Sequence, residues 1–235
     1  MVKLLKIIVF MLFSLRAMAE VCPTDRKDYF CVTPDMAPDS KIQVFDFFNT
    51  PYQISALFEK ELSAQRKTLH IDAQWESPYF GAGISFYNDI YRLMILGGTT
   101  RVPDMTVNAY VALICHELGH LLGGLPYQTI PHAQWSSSEG QADFFAASVC
   151  LPKYFAKTLS VEDQKKIPAK IEKAGFEMMW AFRKFDSSGS SSKLIRYKKD
   201  ETKVSETLIN LYPSIQCRYE NFRNPSTRPA CWFKK

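Results

Sequence analysis

Polar and apolar positions along the chain change period several times. From Tyr52 to Lys67 the apolar residues Ile54, Leu57, Phe58 and Leu62 recur at helical spacing. Thr50 and Pro51 ahead of them read as a cap and a proline at the first helical position. Leu69–Trp75 alternates, and Ala82–Tyr87 with Ile90–Leu96 reads as a β-hairpin about Asn88-Asp89, ended by Gly97-Gly98. Thr106 then caps a helix over Val107–Leu122, which Gly123-Gly124 stops. A loop carrying Pro126 and Pro131 leads to Ser136, where a second helix begins and runs to about Val149. Further helical patterns occupy 161–185 and 201–211, with a short Ser/Gly linker, Ser187–Ser192, between them. No internal repeat is visible. The predicted fold class is α+β: a small antiparallel sheet packed beside a mostly helical remainder.

The ends of the chain add a compartment. Met1–Ala19 has Lys3 and Lys6, an apolar run from Ile7 to Leu15 and the ending Ala17-Met18-Ala19, the form of a secretory signal cut before Glu20. The apolar run is about half the ~20 residues that a membrane span requires. The chain thus divides into a signal over 1–19, an irregular Pro- and Asp-rich segment over 20–50, and the main domain over 51–235. The formal net charge is +5, and without the signal it falls to about +2, with the basic residues scattered, which excludes a nucleic-acid stripe. About 216 mature residues suffice for one domain with its own core. Six cysteines, all after the signal, point to disulfides in an oxidising compartment, periplasmic or extracellular. Cys22–Cys31 and Cys217–Cys231 each close a short loop and are the cheapest pairs. Cys115 reads as a disulfide or core residue rather than a nucleophile.

Candidate chemistry gathers at His116-Glu117-Leu118-Gly119-His120. Histidines four apart on a helix share a face and can reach one metal ion, and Glu117 beside the first is placed to take a proton from water. With four histidines in the whole chain, a chance match has a probability of about 0.003. The third ligand sets the type of site. Pro126 stands where a third histidine would follow Gly123, so that pattern fails. Glu139 follows His120 after eighteen residues, 121–138, on the second helix, and completes a His₂Glu set with an open position. Asp143, one turn further, can accept the far N–H of a liganding histidine. Glu139 also fits a capping box with Ser136. His132 is a rival ligand but reads first as a loop residue, and His70 reads as a polar residue on a half-exposed strand.

These residues resemble the gluzincin metallopeptidases, which carry H-E-x-x-H on one helix and a glutamate ligand on the next. Glu139-x-x-Ala142-Asp143, with the later Tyr212-Pro213-Ser214-Ile215-Gln216-Cys217-Arg218, is most similar to the HtpX/CAAX-protease branch. The chain departs from that branch in having no membrane helices, a shorter gap to the glutamate, and Tyr212 where histidine is usual. The resemblance implies that 51–235 is an exported zinc metallopeptidase domain with one zinc on His116, His120 and Glu139, and Glu117 as general base. It also implies a peptide or protein substrate, paired to an edge strand that would be Ile90–Leu96. Tyr212 would donate a hydrogen bond to the developing oxyanion, and Arg218 would hold its loop or share the charge. Two other readings remain: an amidase acting on cell-wall cross-links, and a zinc-stabilised binding protein without chemistry.

Overall fold

The structure is a computed structural model and describes Cys22, residues 31–183, Phe185 and residues 198–235. The signal over 1–19, its cleavage site and the Ser187–Ser192 linker lie outside the described residues.

Helix α1 spans Val44–Ala56, so it starts a full turn and more before Pro51 and takes residues from the segment expected to be irregular. Gln43 and Asp46 form a reciprocal capping box there. Pro51 sits inside the helix, where it cannot donate to the Phe47 carbonyl. The Tyr110 hydroxyl makes that bond instead, at 2.9 Å, so a side chain from another helix removes the orphan acceptor that makes an internal proline costly. Helix α2, Glu59–Ala64, follows.

The sheet has β1 (Thr68–Gln74), β2 (Ala82–Tyr87) and β3 (Ile90–Leu96) in the order β1-β3-β2. β2 and β3 form the expected antiparallel hairpin, and Asn88 and Asp89 both adopt positive φ, as a tight two-residue turn of this hand demands. β1 pairs with β3 in parallel. The sheet is therefore mixed rather than wholly antiparallel. Alternation marks a strand without marking its direction. Tyr91, Leu93 and Ile95 of the central β3 point into the core.

The core helix is α3, Val107–Leu122. Thr106 caps it by accepting from the Ala109 N–H at 3.1 Å. It is buried on nearly every side, against α1, α6 (Ile167–Phe182) and the helix that comes next in the chain. That partner is α4, Glu139–Phe145, which continues through a π turn, Ala146–Cys150, into α5, Leu151–Thr158. Gly119 lets α3 and α4 touch: a β-carbon there would lie 2.5 Å from the Ala142 carbonyl oxygen. Helix α7, Ile215–Arg223, packs against α4 and α6. Residues 201–211 are not helical. Their backbone groups are taken by the tail, Val204 N–H donating to Ala230 O at 3.0 Å and Leu208 N–H to Trp232 O at 2.9 Å.

Three disulfides are present: Cys22–Cys31, Cys115–Cys150 and Cys217–Cys231. The first and third are the two short-loop pairs expected from sequence. Cys115–Cys150 joins α3, at the residue before His116, to the end of the π turn that extends α4. Its separation of 35 residues corresponds to about 4 kcal/mol of unfolded-state entropy removed. Cys115→Ala with Cys150→Ala should lower the unfolding free energy by a value near that, read from denaturant titration. An unchanged midpoint would show that packing alone holds the two helices together.

Candidate metal centre

One turn of α3 separates His116 from His120, and α4 begins on Glu139, so the three side chains meet where the helices are closest. All three are buried. Their ligand atoms lie within 4.8 Å of one another. His116 Nε2 is 3.4 Å from Glu139 Oε2, and His120 Nε2 is 3.6 Å from Glu139 Oε1.

The other ring nitrogens are already engaged. His116 Nδ1 lies 2.8 Å from Asp143 Oδ1, and His120 Nδ1 lies 2.8 Å from the Ser137 carbonyl oxygen. Both acceptors require a proton on Nδ1. That leaves the two Nε2 atoms facing Glu139 as the nitrogens open to a metal ion, the orientation a metal-binding imidazole needs. Glu139 Oε2 is buried without a hydrogen-bond partner, although it faces an imidazole. A buried carboxylate oxygen left so is costly, and a cation held among the three side chains would satisfy it. Two imidazoles and one carboxylate suit zinc and its neighbours among divalent ions. A second cluster, Asp200 with Cys217 and Cys231, has both sulfurs committed to a disulfide.

No family model, curated protein or solved structure matches this chain. The chemistry open to the site is therefore a matter of its own residues and their geometry.

Asp143 is fully buried and held from α7 by Arg218, whose Nε and an Nη donate to the two carboxylate oxygens at 2.7 and 3.0 Å. The same guanidinium comes within 3.8 Å of Glu139 Oε2. Burial alone would raise the Asp143 carboxyl, but Arg218 and His116 outweigh it and hold it low. Burial would likewise lower the His116 imidazole, and the Asp143 charge overrides this, pushing it up to about 10, so a metal ion would bind at Nε2 by displacing a proton from it. Glu139 is held low by His116, His120 and Arg218 against its burial. Glu117 differs. Burial dominates there and raises its carboxyl above the ordinary value, only partly offset by the two histidines.

The cluster opens on a cleft of about 850 Å³, lined by His116, Glu117, His120, Glu139, Tyr212 and Arg218 among others. All six residues singled out for catalysis or metal binding in the sequence thus meet at one place, and Asp143 lies directly behind them. Tyr212 is 71% exposed on the rim, its ring 5.7 Å from the Arg218 guanidinium. Partial burial of its hydroxyl and the nearby Glu139 charge hold the phenol above its ordinary value, so it stays protonated.

Several expectations are corrected. Ser136 makes no capping box with Glu139: Ser138 is the helix cap residue, and Ser136 Oγ lies 3.2 Å from His120 Nδ1. His132 sits in the α3–α4 loop at positive φ and is exposed, outside both the metal group and the cleft lining. His70 is exposed on β1 and agrees with its reading as a polar residue of a half-exposed strand. Ile90–Leu96 is the central strand, not an edge. The edge that borders the cleft is β2 with the residue before it, through Gly81, Ala82, Gly83 and Ile84. Sequence reasoning missed the Ser137 carbonyl, since a backbone acceptor leaves no trace in residue type. It also missed the aromatic cleft residues, which are scattered along the chain.

Proposed function

We propose that this protein is an exported zinc metallopeptidase that hydrolyses peptide bonds in the cleft between β2 and α3. The observation that carries the reading is Glu117: a buried carboxylate beside a three-ligand cluster, raised by burial, and opening on a cleft large enough for a peptide. A site built only to stabilise a fold is usually closed by four protein ligands and needs no such carboxylate.

His116, His120 and Glu139 would hold the zinc. When bound there, zinc supplies Lewis acidity, making water easier to deprotonate and a carbonyl easier to attack. Glu117 accepts the proton of the attacking water and returns it to the departing amine, and a carboxyl made more basic by burial suits the first of these transfers. Asp143, backed by Arg218, keeps His116 in the required tautomer and orientation. Arg218 acts through Asp143 rather than on substrate. Tyr212, protonated at the rim, offers an O–H to the oxyanion that forms as the carbonyl becomes tetrahedral. An amidase acting on cross-linked peptides would use the same groups. The non-catalytic binding reading leaves Glu117 without a role.

Three disulfides are present, and among the described residues no helix is long and apolar enough to cross a membrane. The disulfides support an exported protein, and the form of Met1–Ala19 supports a signal as the route.

Purified protein should contain one zinc per chain by metal analysis and cleave peptides in a mixed library. A chelator should abolish cleavage and added zinc restore it. Absence of bound metal in both the purified and the zinc-incubated protein would overturn the assignment.

Tyr212→Phe tests the rim donor. Its exposure leaves the phenol less rigidly placed than a buried donor, so turnover should fall about 10²-fold, the lower end for losing one oxyanion donor. Zinc content and melting temperature should stay unchanged. Parental kcat in this variant would remove Tyr212 from the chemistry.

A further inference from the structure

The sheet has two edges, and the cleft borders only the β2 edge. β1 is the other. Its 7 residues, Thr68–Gln74, pair with β3 position by position, without a bulge. Among the described residues, nothing outside β3 hydrogen-bonds to the backbone of Thr68–Ala73. Half of those N–H and C=O groups therefore point outward unpaired, an arrangement that invites another strand. The usual guards of an edge are missing. β1 has no proline and no lysine, and its one carboxylate, Asp72, is held by Arg92 and Gln74 of the same chain. Leu69, Ile71 and Ala73 share the core face with Tyr91, Leu93 and Ile95 of β3. They stay half-exposed, whereas Leu93 and Ile95 are fully buried. The flank beside β1 is open.

The residues of β1 suit a second copy of themselves. Directly opposed side chains of an antiparallel pair lie on the same face of the sheet. Pairing the whole strand with its own copy sets Thr68 opposite Gln74, and hence Ile71 opposite itself. On the core face that register opposes Leu69 and Ala73. On the outer face it opposes His70 and Asp72, each contact occurring twice. Asp72 Oδ2 takes both bonds within the chain, which leaves Oδ1 to accept an imidazole N–H from His70 of the second copy. A shift one way opposes two Asp72 carboxylates, which repel. A shift the other way opposes two His70 side chains and leaves Asp72 facing Thr68. The register that pairs every residue is also the one that matches their chemistry.

We propose that β1 pairs with β1 of a second copy of this chain, antiparallel about Ile71, joining two sheets in the order β2-β3-β1-β1-β3-β2. The contact adds roughly six backbone hydrogen bonds and covers the open flank of Leu69, Ile71 and Ala73. Each β2, and each cleft with it, lies at a far end of the joined sheet. The metal ligands play no part, so the dimer stands or falls separately from the peptidase reading. An interface of this size is small, and its dissociation constant should be about 1–100 µM.

Sedimentation velocity of the disulfide-bonded protein, from about 1 to 300 µM, should show monomer giving way to dimer. His70→Asp changes an exposed side chain and opposes carboxylates at two places, so the dissociation constant should rise about tenfold. Adding Asp72→Lys restores opposite charges and should bring the dimer back. Ile71→Cys tests the register. Its β-carbon would lie about 5 Å from that of its counterpart, so oxidised glutathione should link two chains. Thr68→Cys would lie roughly 20 Å from its counterpart and should not link. The native cysteines are already paired with one another, so a new link reports the introduced thiol. Should Ile71→Cys fail to fold, the His70 and Asp72 variants on the outer face decide. A protein that stays monomeric throughout, or a dimer that His70→Asp leaves untouched, overturns the proposal. Equal linking of the two cysteine variants does the same. So does a dimer lost in Phe45→Ser, on the exposed side of α1, and kept in His70→Asp, because the contact then lies elsewhere.

Discussion

Glu117→Gln is expected to keep its zinc and its fold while turnover falls by about 10²–10⁴-fold, the usual contribution of a positioned general base. The substitution preserves shape and removes only the ability to take a proton. Glu117 lies beside the ligands rather than among them, so metal content should be unaffected. Its carboxylate is buried and raised, which means the folded protein bears a cost for ionising it. The amide removes that cost, so the melting temperature should hold or rise. A gain in stability with a loss of activity is the pattern of a group kept for chemistry. Turnover at the parental rate, with zinc still present by metal analysis, would exclude Glu117 as base and return the non-catalytic reading to favour.

Arg218→Met should be costly for a different reason. The guanidinium is the main counter-charge of Asp143, a carboxylate fully buried between α3, α4 and α7. Removing one partner of a buried pair typically destabilises by about 3–5 kcal/mol, because the remaining charge is left without water. Denaturant titration should show a loss of that order. Asp143 would also be less firmly placed against His116 Nδ1, and zinc affinity should fall by about 10–100-fold. Arg218→Lys should restore charge but not the two-pronged geometry, so it should recover part of the stability. Arg218→Met combined with Asp143→Asn removes both charges and should be less destabilised than Arg218→Met alone. Additive losses in the double variant would show that the pair is not coupled, and that Arg218 supports α7 by packing.

The local chemistry of this site was readable in one dimension because it is local. Histidines four apart meet on a helix by geometry alone, and Thr106 ahead of them starts that helix by its own side chain. The hairpin at Asn88-Asp89 is legible for the same reason: the turn is specified by residues that tolerate positive φ. Glu139 and Asp143 were readable as a pair one turn apart, and Tyr212 and Arg218 only through a resemblance.

What the tertiary structure decided involves partners distant in sequence. Pro51 reads as a helix start, and only the Tyr110 hydroxyl, reaching the carbonyl that proline leaves free, allows it inside α1. The helical spacing in 201–211 competes with hydrogen bonds to the C-terminal tail, and the tail wins. β1 alternates in either direction, so its parallel pairing, and with it the choice of β2 as the edge beside the cleft, waits on how the sheet packs against α3. The Ser137 carbonyl that orients His120 has no signature, since every residue carries one. The pairing of Cys115 with Cys150 depends on Gly119, whose missing side chain brings α3 and α4 into contact. The same close approach carries Glu139 to the histidines and turns two short motifs into one site.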